Sequence, residues 1–196
     1  IKNFLIEYIN NPDPQYAIML KGNWGSGKTF FINKWIEDYK KRLDKNIILE
    51  PIYVSLYGLK DTAQITTEID RKLNPILYSK GVEITKKFLK LAGKIVLRTD
   101  INLNNDNEKE MQINATLDSL SLLTSKGDKD SNIGSKLIIF DDLERCNIDI
   151  KNLLGYINSF VEHGACHVII IGDETKVEDK DKLQEFKEKT IGREFE

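Results

Sequence analysis

Gly22-Asn23-Trp24-Gly25-Ser26-Gly27-Lys28-Thr29 follows the pattern G-x-x-x-x-G-K-[ST], and its reading decides the fold. Phosphate oxygens need many donors at short range. Glycines let the backbone come close and take φ > 0, which turns successive N–H groups inward as an anion nest. Lys28 adds a charge that reaches the β- and γ-phosphates, and the Thr29 hydroxyl is placed to hold Mg²⁺. A helix that starts here aims its positive end at the same oxygens, and Phe30 in its first turn joins the candidate nucleotide contacts.

The flanks supply the context that this loop requires. Before it, Gln15-Tyr16-Ala17-Ile18-Met19-Leu20 reads as a buried strand, introduced by the turn Asn11-Pro12-Asp13-Pro14. After it, Phe30, Phe31, Trp35, Ile36 and Tyr39 recur at helical spacing. Strand, glycine loop and helix follow one another.

Far downstream, Leu137-Ile138-Ile139-Phe140 is a short apolar run, the pattern of a strand buried on both faces of a parallel sheet. It ends in Asp141-Asp142-Leu143-Glu144-Arg145. Acids just past the carboxyl end of such a strand stand where open α/β sheets bind ligands. A P-loop enzyme needs one acid to hold Mg²⁺, usually through water, and often a second to position or deprotonate the attacking water. Asp141 is assigned to the metal and Asp142 to the water. An acidic pair alone reads as a solvated turn; together with the glycine loop it reads as a Mg-nucleotide site.

Composition bounds the class. At 196 residues the chain suits one α/β domain, residues 1–196, with room for a real core. A content of 40% apolar and 31% charged residues is that of a globular protein, and a net charge of −2 gives no global reason to expect nucleic acid. No apolar run approaches the roughly 20 residues that span a bilayer, and no signal peptide is seen. Cys146 and Cys166 are too few for a disulfide framework and read as reduced thiols, so a cytoplasmic location is expected. The chain opens at Ile1 without a methionine, and is expected to be a piece of a longer protein.

The remaining elements follow in order. Phe4, Leu5, Tyr8 and Ile9 suggest a short amphipathic helix, expected to cover the nucleotide base. A second strand reads Ile47 to Leu56, with Pro51 implying a bulge or a sheet edge near its start. Asp61 or Thr62 caps a helix to about Leu73, and Lys80 to Arg98 is mostly helical. From Thr99 to Ser135 the chain is rich in Asn, Asp, Lys and Ser around one helix near Ile113–Leu123; residues 80–135 read as a variable insertion. Then come a helix from Asp149 to Val161, a strand His167–Ile171 leading to Gly172-Asp173-Glu174, a charged helix Lys180–Lys189, and the start of a strand at Glu194-Phe195-Glu196. Alternating strands and helices predict a three-layer α/β sandwich, a mainly parallel sheet with helices on both faces.

Tryptophan before Gly-Ser-Gly-Lys-Thr, and Phe140-Asp141-Asp142-Leu143-Glu144-Arg145-Cys146, resemble the KAP family of P-loop NTPases, whose stretch is Asp-Asp-Leu-Asp-Arg-Cys. The likeness covers both ends of the chain and fails between about Lys80 and Ser135. It implies the additional-strand order, with the Val168 strand between the P-loop strand and the Asp141 strand. KAP proteins are similar to the STAND class: large, multidomain, often predicted ATPases, in bacteria frequently tied to prophage or anti-phage loci. The resemblance therefore implies an ATP- and Mg²⁺-dependent domain that is the power or switch module of a larger protein, with other domains and homo-oligomer copies as partners. The membrane helices of some members are not found here. Glu144 stands where the family has its third Asp, with a longer side chain.

Several residues carry two readings. Arg145 is either a phosphate or subunit contact, as the resemblance suggests, or a partner of Glu144 or Asp149. Asp173 is either a sensor of the γ-phosphate, as in related ATPases, or a turn acid. Trp24 packs against the base or against a neighbouring helix. His163, Cys166 and His167 with Glu162 invite a zinc reading, but a second ligand pair is lacking and packing is preferred. Lys86, Lys87, Lys90, Lys94 and Arg98 beside Ile84, Phe88, Leu91 and Ile95 form a basic amphipathic pattern, read as a solvated helix over an anion-binding one. For function, Mg-dependent ATP hydrolysis stands first. The alternatives are an ATP-occupancy switch with little turnover, a DNA-associated motor, and a small-molecule kinase.

Overall fold

In each of the central strands the apolar residues run without a break, and this settles where they lie. The computed structural model describes residues 1–12, 14–42, 51–73, 136–162 and 166–196. Its strands are β1 (Ala17–Lys21), β2 (Ile52–Ser55), β3 (Leu137–Asp141), β4 (His167–Gly172) and β5 (Ile191–Phe195). Every pairing is parallel, in the order β2-β3-β4-β1-β5. The three middle strands, β3, β4 and β1, are buried on both faces, as all-apolar strands in a parallel sheet must be. Of the edge strands, β2 alternates, with Tyr53 and Ser55 on the less covered side, and β5 is only partly covered along its length. Pro51 precedes β2, which is an edge strand, the place where a missing N–H costs least.

Among the described residues five helices cover the sheet: α1 (Lys2–Asn10), α2 (Lys28–Arg42), α3 (Thr62–Leu73), α4 (Ile150–Glu162) and α5 (Lys180–Thr190). One face joins Ile18, Leu20, Ile139, Ile169 and Ile171 of the sheet to Leu5 and Tyr8 of α1 and Ile32 and Trp35 of α2. The opposite face joins Met19, Val54, Phe140 and Ile170 to Ile65 and Ile69 of α3, to Leu153, Ile157 and Phe160 of α4 and to Leu183 of α5. The result is the expected three-layer α/β sandwich. The strand order is the one the resemblance implied, with β4 between β1 and β3.

Two local expectations change. The apolar side of α1 lies on the sheet: the Tyr8 hydroxyl accepts the Val168 N–H at 2.8 Å and donates to the Tyr16 carbonyl at 2.8 Å. Both partners are at the amino ends of β1 and β4, far from Gly22, so the buried residues of α1 build the core in place of the expected cover over the base. The final strand begins at Ile191, earlier than its acidic end suggested, because β1 offers a free parallel edge there. The proposed strand start at Ile47, the 80–135 insertion with its helices and basic face, and His163 lie outside the described residues.

Candidate nucleotide site

β1 ends at Lys21, and the chain turns through the glycine loop into α2 at Lys28. Gly25 (φ +80°) and Gly27 (φ +92°) hold left-handed backbone that a side chain would strain, which is why the loop needs glycine there. The Ser26 N–H donates to the Asn23 carbonyl at 3.1 Å and closes the turn. Lys28 Nζ donates to the carbonyls of Gly22 (2.6 Å) and Asn23 (3.1 Å), so its ammonium lies directly over the loop. The first turn of α2 carries no acidic residue, so no side chain of its own offsets the helix's positive end.

The two distant motifs meet. Thr29 Oγ1 donates to Asp141 Oδ2 at 2.8 Å. Asp141 is 2% exposed, yet its carboxylate is well supplied with donors: Oδ2 also accepts the Tyr53 hydroxyl, and Oδ1 accepts the Asp142 N–H at 2.7 Å. A buried carboxylate without such donors would cost several kcal/mol, on the order of a lost charged hydrogen bond or more. Burial, and then the Asp141 anion, push the Tyr53 phenol well above its usual range, so it stays a donor.

Asp142 leaves the strand with left-handed backbone (φ 62°, ψ 41°), a conformation that Asp tolerates better than most residues. Its Oδ2 accepts the Ser55 hydroxyl at 2.7 Å, and its Oδ1 faces Arg145 Nη1 at 3.7 Å. Arg145 therefore pairs with Asp142, not with the expected Glu144 or Asp149. Its guanidinium also stacks 3.8 Å from the centre of the Tyr57 ring.

Asp173 follows β4 and is 2% exposed. Its Oδ2 accepts the backbone N–H of Trp24 at 3.1 Å, and its Oδ1 accepts the N–H of Thr175 at 3.1 Å. Hydrogen bonds from Thr175, with those from the loop, hold its carboxyl below the usual carboxylate range. Asp173 thus ties the loop backbone to the turn after β4. Its own N–H donates to Glu144 Oε2 at 2.9 Å, which gives the longer acid a contact. Gly172 permits that approach: a Cβ there would stand 2.8 Å from Leu143 Cβ.

Two aromatics of the site are open. Trp24 is 78% exposed, which removes packing against a neighbouring helix, and Phe30 is 76% exposed on α2. Phe31 and Trp35 face inward as their spacing predicted. Gly22, Asn23, Gly25, Ser26, Gly27, Lys28 and Thr29 are contiguous at the carboxyl end of β1, and Asp141, Asp142 and Asp173 stand at the carboxyl ends of β3 and β4. Tyr53 and Ser55 were missed. Their one signal was the polar alternation Ile52-Tyr53-Val54-Ser55, which gains meaning only once Ser55 is paired opposite Asp141. Cys166 and His167 are buried, and His167 Nε2 is 2.8 Å from the Asn11 carbonyl, in keeping with packing.

A glycine loop leading into a helix N-terminus, a lysine, a threonine–aspartate pair and a second acid can hold a polyphosphate with a hydrated divalent cation. The side chains present fit Mg²⁺: hard oxygen donors that leave room for water. Among the described residues no helix is long and apolar enough to cross a membrane. The family model for the KAP family P-loop domain matches residues 1–196. No protein of curated function matches the chain.

Proposed function

The chain belongs to the KAP family of P-loop NTPases, and from that premise we propose that it binds Mg-ATP and hydrolyses it. The observation that carries the reading is the 2.8 Å bond between Thr29 and Asp141, which unites the two motifs at one end of the sheet. In this reading Lys28 and the amino end of α2 take the β- and γ-phosphates. Thr29 and Asp141 hold the cation, Asp141 through water, and Mg²⁺ supplies charge neutralisation on the phosphoryl oxygens. Asp142 orients the attacking water. Phosphoryl transfer asks the protein mainly for positioning and charge stabilisation, and a further cation at the transition state from another subunit or domain would raise the rate. Isolated turnover is therefore slow. The wider setting, a switch or power module of a larger bacterial defence protein, is carried by the resemblance alone.

One observation favours a second reading, an occupancy switch with little turnover. Both oxygens of Asp142 are engaged, by Ser55 and by Arg145, so the water-orienting acid is held by the protein itself. Calorimetric titration of Mg-ATP into this chain and into Lys28→Ala, with phosphate release measured on the same samples, tests both. Binding lost in the variant with measurable turnover supports the ATPase; binding without turnover supports the switch; no binding by the folded chain overturns both.

A further inference from the structure

We propose that the edge strand β2 carries the positioning residues of the acid pair, Tyr53 for Asp141 and Ser55 for Asp142. The inference rests on the Mg-ATP reading of the site. Parallel register sets Ser55 opposite Asp141 and Tyr53 opposite Ile139, so both hydroxyls stand on the side of the sheet from which Asp141 projects. The pairing continues past the strand: the Leu56 N–H donates to the Asp141 carbonyl at 2.8 Å, and the Gly58 N–H to the Arg145 carbonyl at 3.2 Å. The two hydroxyls are thus fixed to the same backbone that carries the acids.

What each hydroxyl does follows from counting acceptor sites. An ionised carboxylate offers about four lone-pair positions. Thr29 and Tyr53 occupy Oδ2 of Asp141, and the Asp142 N–H occupies one position of Oδ1. About one position then remains, on Oδ1, enough for one cation-bound water and too little for bidentate chelation. Tyr53 therefore fixes the carboxylate's orientation and leaves Oδ1 as the oxygen that would face a hydrated cation. Ser55 is oriented in turn: its oxygen accepts the Tyr57 N–H at 3.3 Å, which directs its proton to Asp142 Oδ2. That contact and the Arg145 ion pair, on opposite oxygens, together set where the second carboxylate points.

The test uses the whole chain and probes that do not require turnover. Mn²⁺ is titrated against ATP-saturated protein by electron paramagnetic resonance, and ADP with aluminium fluoride is titrated by calorimetry, with thermal unfolding confirming that each variant is folded. Tyr53→Phe is expected to weaken Mn²⁺ binding about five- to tenfold while metal-free ATP binds as before, the loss of one charge-assisted hydrogen bond. Ser55→Ala is expected to leave Mn²⁺ and Mg-ADP binding unchanged and to weaken the ADP–aluminium fluoride complex about tenfold, with Ser55→Thr restoring it. Wild-type Mn²⁺ affinity in Tyr53→Phe, or a wild-type fluoride complex in Ser55→Ala, overturns the assignment of that residue. If the unmutated chain binds neither ATP nor Mn²⁺-ATP, the nucleotide reading falls and this inference with it; that result is separate, because it is seen before any β2 variant is compared.

Discussion

Asp173 Oδ2 accepts the Trp24 backbone N–H at 3.1 Å, so the turn after β4 grips the phosphate loop by its main chain. An N–H of the loop that is held by the protein keeps the neighbouring amides in register for an anion.

Replacing Asp173 by Ala frees that N–H and loosens the loop. Binding of Mg-ATP and of Mg-ADP is expected to weaken by similar factors, roughly tenfold each, as for a lost hydrogen bond to a charged group. Calorimetry with both nucleotides checks this. A loss confined to ATP would return Asp173 to the role of γ-phosphate sensor.

Lys28→Ala removes the ammonium that lies over the loop. Mg-ATP affinity is expected to fall about 10- to 100-fold, equal to about 1.4 to 2.7 kcal/mol of charge-assisted hydrogen bonding. Asp141→Asn keeps the shape and removes the charge, so its binding should lose its dependence on Mg²⁺ while metal-free ATP binds as before. A Mg²⁺ titration at fixed ATP separates the two variants.

Gly172→Ala places a Cβ 2.8 Å from Leu143 Cβ, beside the turn that carries the acids. Overpacking of this kind costs about 1 to 3 kcal/mol. In a domain of this size the melting temperature should drop by roughly 2 to 12 °C. Differential scanning calorimetry measures it.

Lys21 lies one residue before the loop and bonds Glu174 (3.2 Å) and Glu194 (2.8 Å), and Lys187 bonds the same two acids at 2.7 and 2.8 Å. The contacts with Lys187 and Lys21 hold both glutamates below their usual range despite partial burial. Their contribution is therefore present above the unfolded glutamate value and is lost as pH falls through the lower folded value. Lys187→Met leaves two acids facing one lysine, and should cost about 1 kcal/mol at neutral pH after allowance for solvent screening. Unfolding in urea at pH 7 and pH 3.5 should show the difference shrinking with acid.

His167 gives the opposite end of the sheet a different pH response. Burial pushes its imidazole below the ordinary histidine value, against the bond to Asn11, and Nδ1 is buried with no hydrogen-bond partner among the described residues. A base whose folded value is depressed stabilises fully above its unfolded value, near 6.5, and loses that contribution as pH falls toward the folded one. Melting temperature should therefore fall between pH 7.5 and 5.5, and the fall should be smaller in His167→Gln.

How much of this was legible in the chain depended on whether an effect is local. The glycine loop, the helix after it and the apolar strand before Asp141 follow from spacing within a few residues, and all stand where they were read. The pairing of Thr29 with Asp141 was inferable because the chemistry of a metal site demands it. Tyr53 and Ser55 were not, since their role depends on the register of β2 against a strand that lies far along the chain. Arg145 was open to a phosphate or subunit contact and to a bridge with Glu144 or Asp149; the structure shows it against Asp142 and the Tyr57 ring, a pairing that depends on the turn after β3 and on the loop after β2. Trp24 was ambiguous because amphipathic rings suit both surfaces, and its exposure removes the helix-packing reading.

The left-handed step at Asp142 restricts which amino acids the position accepts. A backbone at φ 62° is affordable for Gly, Asn and Asp, and strained for longer or branched side chains. Among acids, the geometry of the turn thus selects the shorter one before any question of reactivity arises. Glutamate stands two residues later, in right-handed backbone, where its extra length is used to reach the N–H of Asp173. Asp142→Asn is accordingly the substitution that removes charge and leaves the main chain at ease, whereas Asp142→Glu and Asp142→Ala each change conformation and chemistry together.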